Sequence, residues 1–123
     1  TDASRTNTLN VYTTQSATKT LAASFGPGLT VSGQLATTVT STAVDLALSS
    51  VHHRVLVTAT GKTITLPTAV GITGREYSIK SADGCTTTIA TTSAQTIDGA
   101  TSATIGSNVN IVVFSDGTNW RIG

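Results

Sequence analysis

Residues 81–100 read SADGCTTTIATTSAQTIDGA and contain Asp-Gly pairs at 83–84 and 98–99; a third pair follows at 116–117. An Asp-Gly pair between two β-rich runs favours a hairpin, because Gly accepts the positive φ that the tight primed turns need. The first pair lies between YSIK and TTTIA, and the third lies between NIVVF and NWRI. We therefore predict that these pairs turn the chain between strands.

The aspartates of these pairs could also form a calcium site or an acid/base pair, so the spacing of all the acidic residues matters. Calcium sites need several oxygen ligands close together, commonly spaced as in D-x-D-x-D-G. No two acids of this chain lie within five residues of each other. The sequence therefore supports no calcium site. The acids are Asp2, Asp45, Glu76, Asp83, Asp98 and Asp116.

The composition predicts an all-β fold. Thr and Ser supply 27 and 13 of the 123 residues, whereas charged residues make up only 11%. Thr and Val favour strands because their branched Cβ packs well on a pleated surface. Short alternating runs separated by frequent turn signals indicate an antiparallel sandwich or a jelly-roll-like barrel of short strands.

Charge and hydropathy exclude two kinds of partner. The net charge is +1 and there is no basic run, so nothing indicates nucleic-acid binding. No apolar run approaches the ~18 residues that span a bilayer, so we expect no membrane insertion.

By composition, residues 1–50 read differently from residues 51–123; we expect an N-terminal segment of residues 1–40, followed by a β module of residues 41–123. The first segment is rich in Thr, Ser and Ala, with alternation in runs such as TLNVYTT. It could be a fibre shaft, a strand exchanged with a neighbouring subunit, or part of the same domain. Residues 41–123 read as a denser series of short strands, a β module. The absence of methionine predicts a processed product or a piece of a longer chain.

No local signature of catalysis or cofactor binding is present. Cys85 follows a turn, and only His52 and His53 could act as its base. Neighbouring side chains of a strand point to opposite faces, so the two histidines cannot easily bind one metal within one chain. One His from each chain of a trimer could converge on an axis; otherwise one packs inward with its nitrogens bonded and the other meets solvent. We predict no enzyme and no catalytic, cofactor-binding or metal residues.

The chain has few aromatic residues, and two of them could bind carbohydrate or anchor the core. Tyr77 and Trp120 lie within strand-like runs. With so few aromatic rings available, each is expected to seal part of the core. We therefore predict that Trp120 is a core residue.

Four segments of residues 41–123 carry a resemblance to a known group: HRVLV, ITLPTAVGITGREYSIK, TIDG and SDGTNWRI. In this order and spacing they resemble the small C-terminal β modules of bacteriophage tail fibres and related virion fibre proteins. The resemblance implies an all-β, usually trimeric module on the virion surface, outside the cell. Its expected partners are copies of itself, other virion proteins, and a host-surface glycan or protein.

The first functional hypothesis is a virion structural protein, a tail-fibre or receptor-binding module that presents loops for host attachment. The turns at 71–75, 83–87 and 115–119 are contact candidates if they cluster at one exposed end. The second hypothesis is a self-assembling subunit, either a capsid decoration protein or an extracellular filament subunit with N-terminal strand exchange. The third is a carbohydrate-binding or hydrolytic domain of a larger enzyme, for which Asp98 and Asp116 would be tested.

Overall fold

The computed structural model describes residues 30–123. The chain divides into two units, residues 1–35 and residues 36–123, and the strands of the described part all lie in the second. They are β1 (Val39–Thr42), β2 (Leu46–Ala47), β3 (Arg54–Val57), β4 (Lys62–Thr65), β5 (Glu76–Ser81), β6 (Thr87–Ala90), β7 (Ser102–Ile105), β8 (Asn110–Ser115) and β9 (Trp120–Ile122). The predictions for residues 1–29 lie outside the described residues.

The first six strands alternate between two sheets. β1, β3 and β5 belong to a five-stranded sheet, and β2, β4 and β6 belong to a four-stranded sheet. Within each sheet these strands are parallel: Val39 pairs with Arg54, and Arg54 pairs with Ser78. The chain therefore forms three successive coils, each of which adds one strand to each sheet.

The last three strands change the direction of pairing. β7 pairs antiparallel with β6, β8 with β5, and β9 with β8. The outer edge of β9 is itself bonded, because Trp120 N–H donates to Thr96 O at 2.9 Å and Asp98 N–H donates to Trp120 O at 3.0 Å. We call β8, β9 and residues 96–98 the closed end of the five-stranded sheet.

The opposite end of the stack is different. Within residues 30–123, β1 pairs only with β3, and β2 pairs only with β4. Val39, Val44 and Val51, which lie in or beside these first strands, are 68%, 64% and 68% exposed. We call β1 and β2 the open end.

The core lies between the two sheets and follows the alternation of each strand. Trp120 and Tyr77 are its largest fully buried residues, with ring centroids 5.5 Å apart. Trp120 Nε1–H donates to Pro67 O at 3.1 Å, so the indole nitrogen is satisfied inside the protein. The core prediction for Trp120 is confirmed. The other buried apolar residues include Val55, Val57, Ile64, Leu66, Ile79, Ile89, Ile97 and Val113.

The outer face of the four-stranded sheet accounts for part of the Thr-rich composition. Thr63, Thr88 and Thr104 are register partners across β4, β6 and β7 and lie on this face. The neighbouring row contains Ala47, Thr65, Ala90 and Ser102. These seven positions are small and uncharged, so hydroxyl and methyl groups cover this sheet where Lys and Glu are more usual.

The all-β prediction is confirmed, and the two sheets are compatible with a sandwich. The predicted antiparallel pairing is wrong for part of each sheet, because both sheets are mixed, and neither sheet closes into a barrel. The turn at Asp83-Gly84 has the predicted positive φ of 70° at the glycine, yet it joins β5 to β6 in the other sheet. The hairpin prediction fails there because a short connection between stacked sheets needs the same turn residues as a hairpin.

The other two Asp-Gly pairs behave as predicted. Asp98 and Gly99 have φ values of 47° and 91°, and Ile97 and Ala100 exchange two backbone hydrogen bonds around them. This is a two-residue turn of the primed kind. The third pair begins the connection between β8 and β9, which pair antiparallel.

Candidate functional site

Two of the three turns proposed as contact regions meet at one edge of the module. Gly74 N–H donates to Ser115 O, and Ser115 N–H donates to Arg75 O, both at 2.9 Å. Thr73 lies so close to Gly117 that a Cβ added there would stand 2.6 Å from Thr73 Oγ1. We call residues 71–76 and 115–119 the loop cluster. The third region, 83–87, lies at the opposite end of β5 and is not part of the loop cluster.

The sequence explains the shape of the first loop. Arg75 N–H donates to Ile72 O at 2.9 Å, which closes a four-residue turn. Gly74 has a φ of +84°, a conformation that side chains rarely adopt. The turn leads directly into β5, a strand with partners on both sides, so the loop is held by well-paired backbone.

The loop borders a surface cavity of about 530 Å³ that is wide open to solvent and is lined by His53 and residues 71–76. A smaller cavity of about 120 Å³ lies beside it, lined in part by Pro67, Thr68 and Tyr77. Ile72 and Arg75 line both cavities. Arg75 is fixed by a bond from Nη1 to Ser50 O at 3.0 Å, so its side chain forms part of the wall between them.

The two histidines have different roles. His52 Nδ1 accepts a bond from Ser49 N–H at 3.0 Å and lies 3.1 Å from Ser49 Oγ. His53 lines the larger cavity, and its Nδ1 is buried without a hydrogen-bond partner. The expected arrangement, an inward His with bonded nitrogens beside an exposed one, is wrong: both are half-buried, and the nitrogen without a partner is the enclosed one.

No group of three or more His, Cys, Asp or Glu residues in the part of the chain that the structure describes could hold a metal ion. The convergence of His52 or His53 from several chains on an oligomer axis stays a prediction. Cys85 is buried, and its Sγ donates to Asp83 O at 3.5 Å. Across residues 30–123, no helix is long and apolar enough to cross a membrane.

Tyr77 ties the cavity wall to the core. Its hydroxyl donates to Ser49 O at 3.0 Å, its ring lies beside that of Trp120 in the core, and the residue lines the smaller cavity. Burial raises the pKa of Tyr77, and the nearby charge of Arg75 offsets only part of this effect. The hydroxyl therefore stays protonated and acts as a donor.

The aspartates of the Asp-Gly pairs have structural partners. Asp83 accepts bonds from Ser107 and Asn108, which ties the β5–β6 turn to residues before β8. Asp116 accepts the backbone N–H groups of Asn119 and Thr118, at 2.8 and 2.9 Å, and pairs with Arg121 at 2.7 Å. These contacts, the backbone bonds first, lower the pKa of Asp116 to about 2.

Asp98 lies on the other side of Arg121. The Oδ1 atom of Asp98 is 3.8 Å from Arg121 Nη1, and its Oδ2 accepts Ile122 N–H at 3.2 Å. The guanidinium therefore stands between Asp98 and Asp116 and holds β9 to both turns. This arrangement favours a structural role for the two carboxylates over the acid/base pair considered above.

Sequence reasoning did not single out Arg75, Glu76 or His53 as residues of one cavity. Gly71 and Gly74 gave the position of the loop, but pairing of β3 with β5 is what brings His53 beside it. Comparisons with protein-family models, with curated proteins and with solved structures found no match to this chain.

Proposed function

We propose that this chain is a virion structural protein, a trimeric tail-fibre module that presents its loop cluster to the host surface. The observation that supports this function best is the contact between loops 71–76 and 115–119 at one edge of the module, with a cavity beside the first of these loops. Loops fixed on a rigid sheet are a common location for binding sites. The resemblance of residues 41–123 to fibre modules supports the same function.

The scaffold beneath the loops suits this role. Both loops adjoin β5 and β8, which pair along five residues in the middle of the five-stranded sheet. Their positions relative to each other are therefore set by strand pairing, and a binding surface would need little ordering on contact.

Cell binding tests the proposal. Fluorescently labelled full-length chain is incubated with a panel of bacterial strains and washed. We expect binding to a subset of strains and strong loss on lengthening the 71–76 loop by insertion after Thr73. Thr104→Lys, on the outer face of the four-stranded sheet, is the matched control and should bind normally. Binding to no strain, or binding that ignores the insertion, would refute host attachment through this cluster.

A self-assembling subunit, either a capsid decoration protein or a filament subunit, is the second candidate. The observation that favours it is the open end, where the outer edges of β1 and β2 have no partner strand within residues 30–123 and Val39, Val44 and Val51 are exposed. A free strand edge can accept a strand from another chain. Light scattering on the full chain and on a chain lacking residues 1–15 separates the candidates. A trimer in both supports the fibre module, whereas polymers that dissociate on truncation support the filament.

A further inference from the structure

We propose that the smaller cavity, beside Tyr77, binds the C-terminal residue of another polypeptide, with the apolar side chain of that residue in the cavity and its carboxylate on Arg75. The inference goes beyond host attachment and does not depend on it. The cavity has a volume of about 120 Å³ and is lined mainly by apolar surface. Apolar cavities of about 150 Å³ hold a benzene-sized group, so one Val or Leu side chain fits here.

The walls of the cavity suit an apolar side chain. Pro67 and Ile72 line it and are half-buried, and Tyr77 is fully buried, so the core holds the tyrosine ring in place. The hydroxyl of Tyr77 donates to Ser49 O at 3.0 Å, which fixes the ring further. A wall that is already ordered lowers the entropic cost of binding.

Arg75 supplies a positive charge beside this apolar surface. Of the residues that line the smaller cavity, it alone is charged. Its Nη1 donates to Ser50 O at 3.0 Å, and no acceptor within residues 30–123 takes an N–H from its Nε or Nη2. The edge of the guanidinium formed by these two nitrogens can therefore bind both oxygens of one carboxylate.

Glu76 lies on the other side of the strand from the smaller cavity. Neighbouring residues of a strand point to opposite faces. Glu76 lines the larger cavity, whereas Tyr77 lines the smaller one, and no Asp or Glu is among the residues described around the smaller one. A negatively charged ligand therefore meets Arg75 there without an opposing carboxylate in the cavity wall.

The last residue of a polypeptide combines the two features that this cavity accepts. Its side chain and its carboxylate are attached to the same carbon atom, whereas an internal residue has a neutral amide in place of the carboxylate. Thr68, at the rim, can bind the preceding carbonyl. Its Oγ1 accepts bonds from Gln95 Nε2 and Val70 N–H, and its own hydrogen has no acceptor within residues 30–123. Capture of a C-terminal carboxylate is an established mode of peptide recognition.

Titration of the full-length chain with three peptides, followed by NMR of its amide groups, tests the inference. The peptides are Gly-Ser-Gly-Ser-Leu with a free carboxylate, the same peptide with a C-terminal amide, and Gly-Ser-Leu-Gly-Ser with a free carboxylate. We expect the first to shift the signals of Ile72, Arg75 and Tyr77 and to bind about tenfold more tightly than the other two. Equal binding of the acid and the amide, or no shift with any peptide at millimolar concentration, would overturn the site.

Substitutions at Arg75 separate the effect of charge from that of folding. Arg75→Gln should weaken binding of the acid peptide about tenfold and leave the weak binding of the amide peptide unchanged, whereas Arg75→Lys should recover part of the affinity. Arg54→Gln, which removes an exposed arginine of β3, is the matched control and should bind like the parent chain. Equal losses for the acid and the amide peptide in Arg75→Gln would overturn the carboxylate contact.

A second variant keeps the test decisive if Arg75→Gln fails to fold when its bond to Ser50 is lost. Ile72→Ala removes apolar surface from the wall and should weaken binding of the acid peptide about tenfold. Val109→Ala, which shortens another partly exposed apolar side chain outside the cavity, is its control. Unchanged affinity of Ile72→Ala would overturn the site.

Discussion

The two ends of the five-stranded sheet differ in how the outer edge of the last strand is bonded. At the closed end, residues 96–98 form hydrogen bonds to the outer edge of β9. Within β9, Trp120 is buried in the core and Arg121 lies between two carboxylates. At the open end, the outer edge of β1 has no partner within residues 30–123, and Val39 is 68% exposed. A parallel strand with an unpaired outer edge can bond to a further strand, whereas an antiparallel strand whose outer edge is already bonded ends the sheet. We therefore expect stability to depend on the closed end and association on the open end.

Replacing Trp120 by Ala should produce the largest effect. The side chain is fully buried against Tyr77, and its indole N–H is bonded to Pro67 O. Truncation of such a side chain costs about 3–5 kcal/mol of unfolding free energy. Urea unfolding measures the loss, with Val39→Ala at the open end as the control, expected within about 0.5 kcal/mol of the parent. Similar losses for both substitutions would contradict the difference between the ends.

Gly117→Ala should be next in size. Gly117 has a φ of +98°, and an added Cβ would stand 2.6 Å from Thr73 Oγ1. We expect a loss of about 1–3 kcal/mol in unfolding free energy, from backbone strain and from the clash. Adding Thr73→Ala should recover the part due to the clash. Gly106→Ala, where nothing lies within 4 Å, is the control. No recovery in the double variant would show that the two loops are not in contact.

The closed end should also show a dependence on pH. Contacts in the folded state lower the pKa of Asp116 from 3.8 to about 2, so the folded chain binds fewer protons than the unfolded chain between these values. The stabilisation of the folded state by ionised Asp116 is therefore complete above pH 3.8 and is lost as the pH falls through about 2. The difference between the urea midpoints of the parent chain and of Asp116→Asn, measured across this pH range, should give the contribution of Asp116.

High salt tests the cause of this dependence. The backbone N–H groups of Asn119 and Thr118 lower the pKa of Asp116 more than Arg121 does, so most of the dependence should persist in high salt. Its complete loss in high salt would mean that the ion pair with Arg121 is the main cause.

Val39→Lys should have the smallest effect on unfolding and a clear effect on association. Val39 is exposed, so we expect the unfolding free energy of the chain to change by no more than about 0.5 kcal/mol. If the open end is an interface between copies, the charge should lower the mass of the assembly in light scattering. Ile122→Lys at the closed end is the matched control and should keep that mass. An unchanged mass for Val39→Lys would remove the open end as an interface.

The sequence predicted those features that depend on local chemistry. The alternation in HRVLV and REYSIK predicts strands, and β3 and β5 lie there. The Asp-Gly pairs predict positive φ, and Gly84, Gly99 and Gly117 have it. The scarcity of aromatic rings predicted that Trp120 would be buried, since so large an apolar side chain has few other places to go.

Pairing direction could not be predicted in the same way. Inward and outward side chains alternate in parallel and in antiparallel strands alike, so the pattern at Val55 and Val57 fits both. The short connection between β1 and β2 looks like a hairpin loop, but it crosses from one sheet to the other. The cavity was missed for the same reason, because His53 reaches the loop cluster only through the parallel pairing of β3 with β5.

The position of β5 has a consequence for the order of folding. This strand is bonded to β3 on one side, where Arg54 pairs with the distant Ser78, and to β8 on the other. Contacts between distant residues form slowly, because loop closure is unfavourable before the contacts stabilise it. The β8–β9 hairpin closes over four residues and can form early. The folding nucleus is therefore expected at the C-terminal strands, with β5 docking next and β1 last, so that amide exchange is slowest in β5 and fastest in β1.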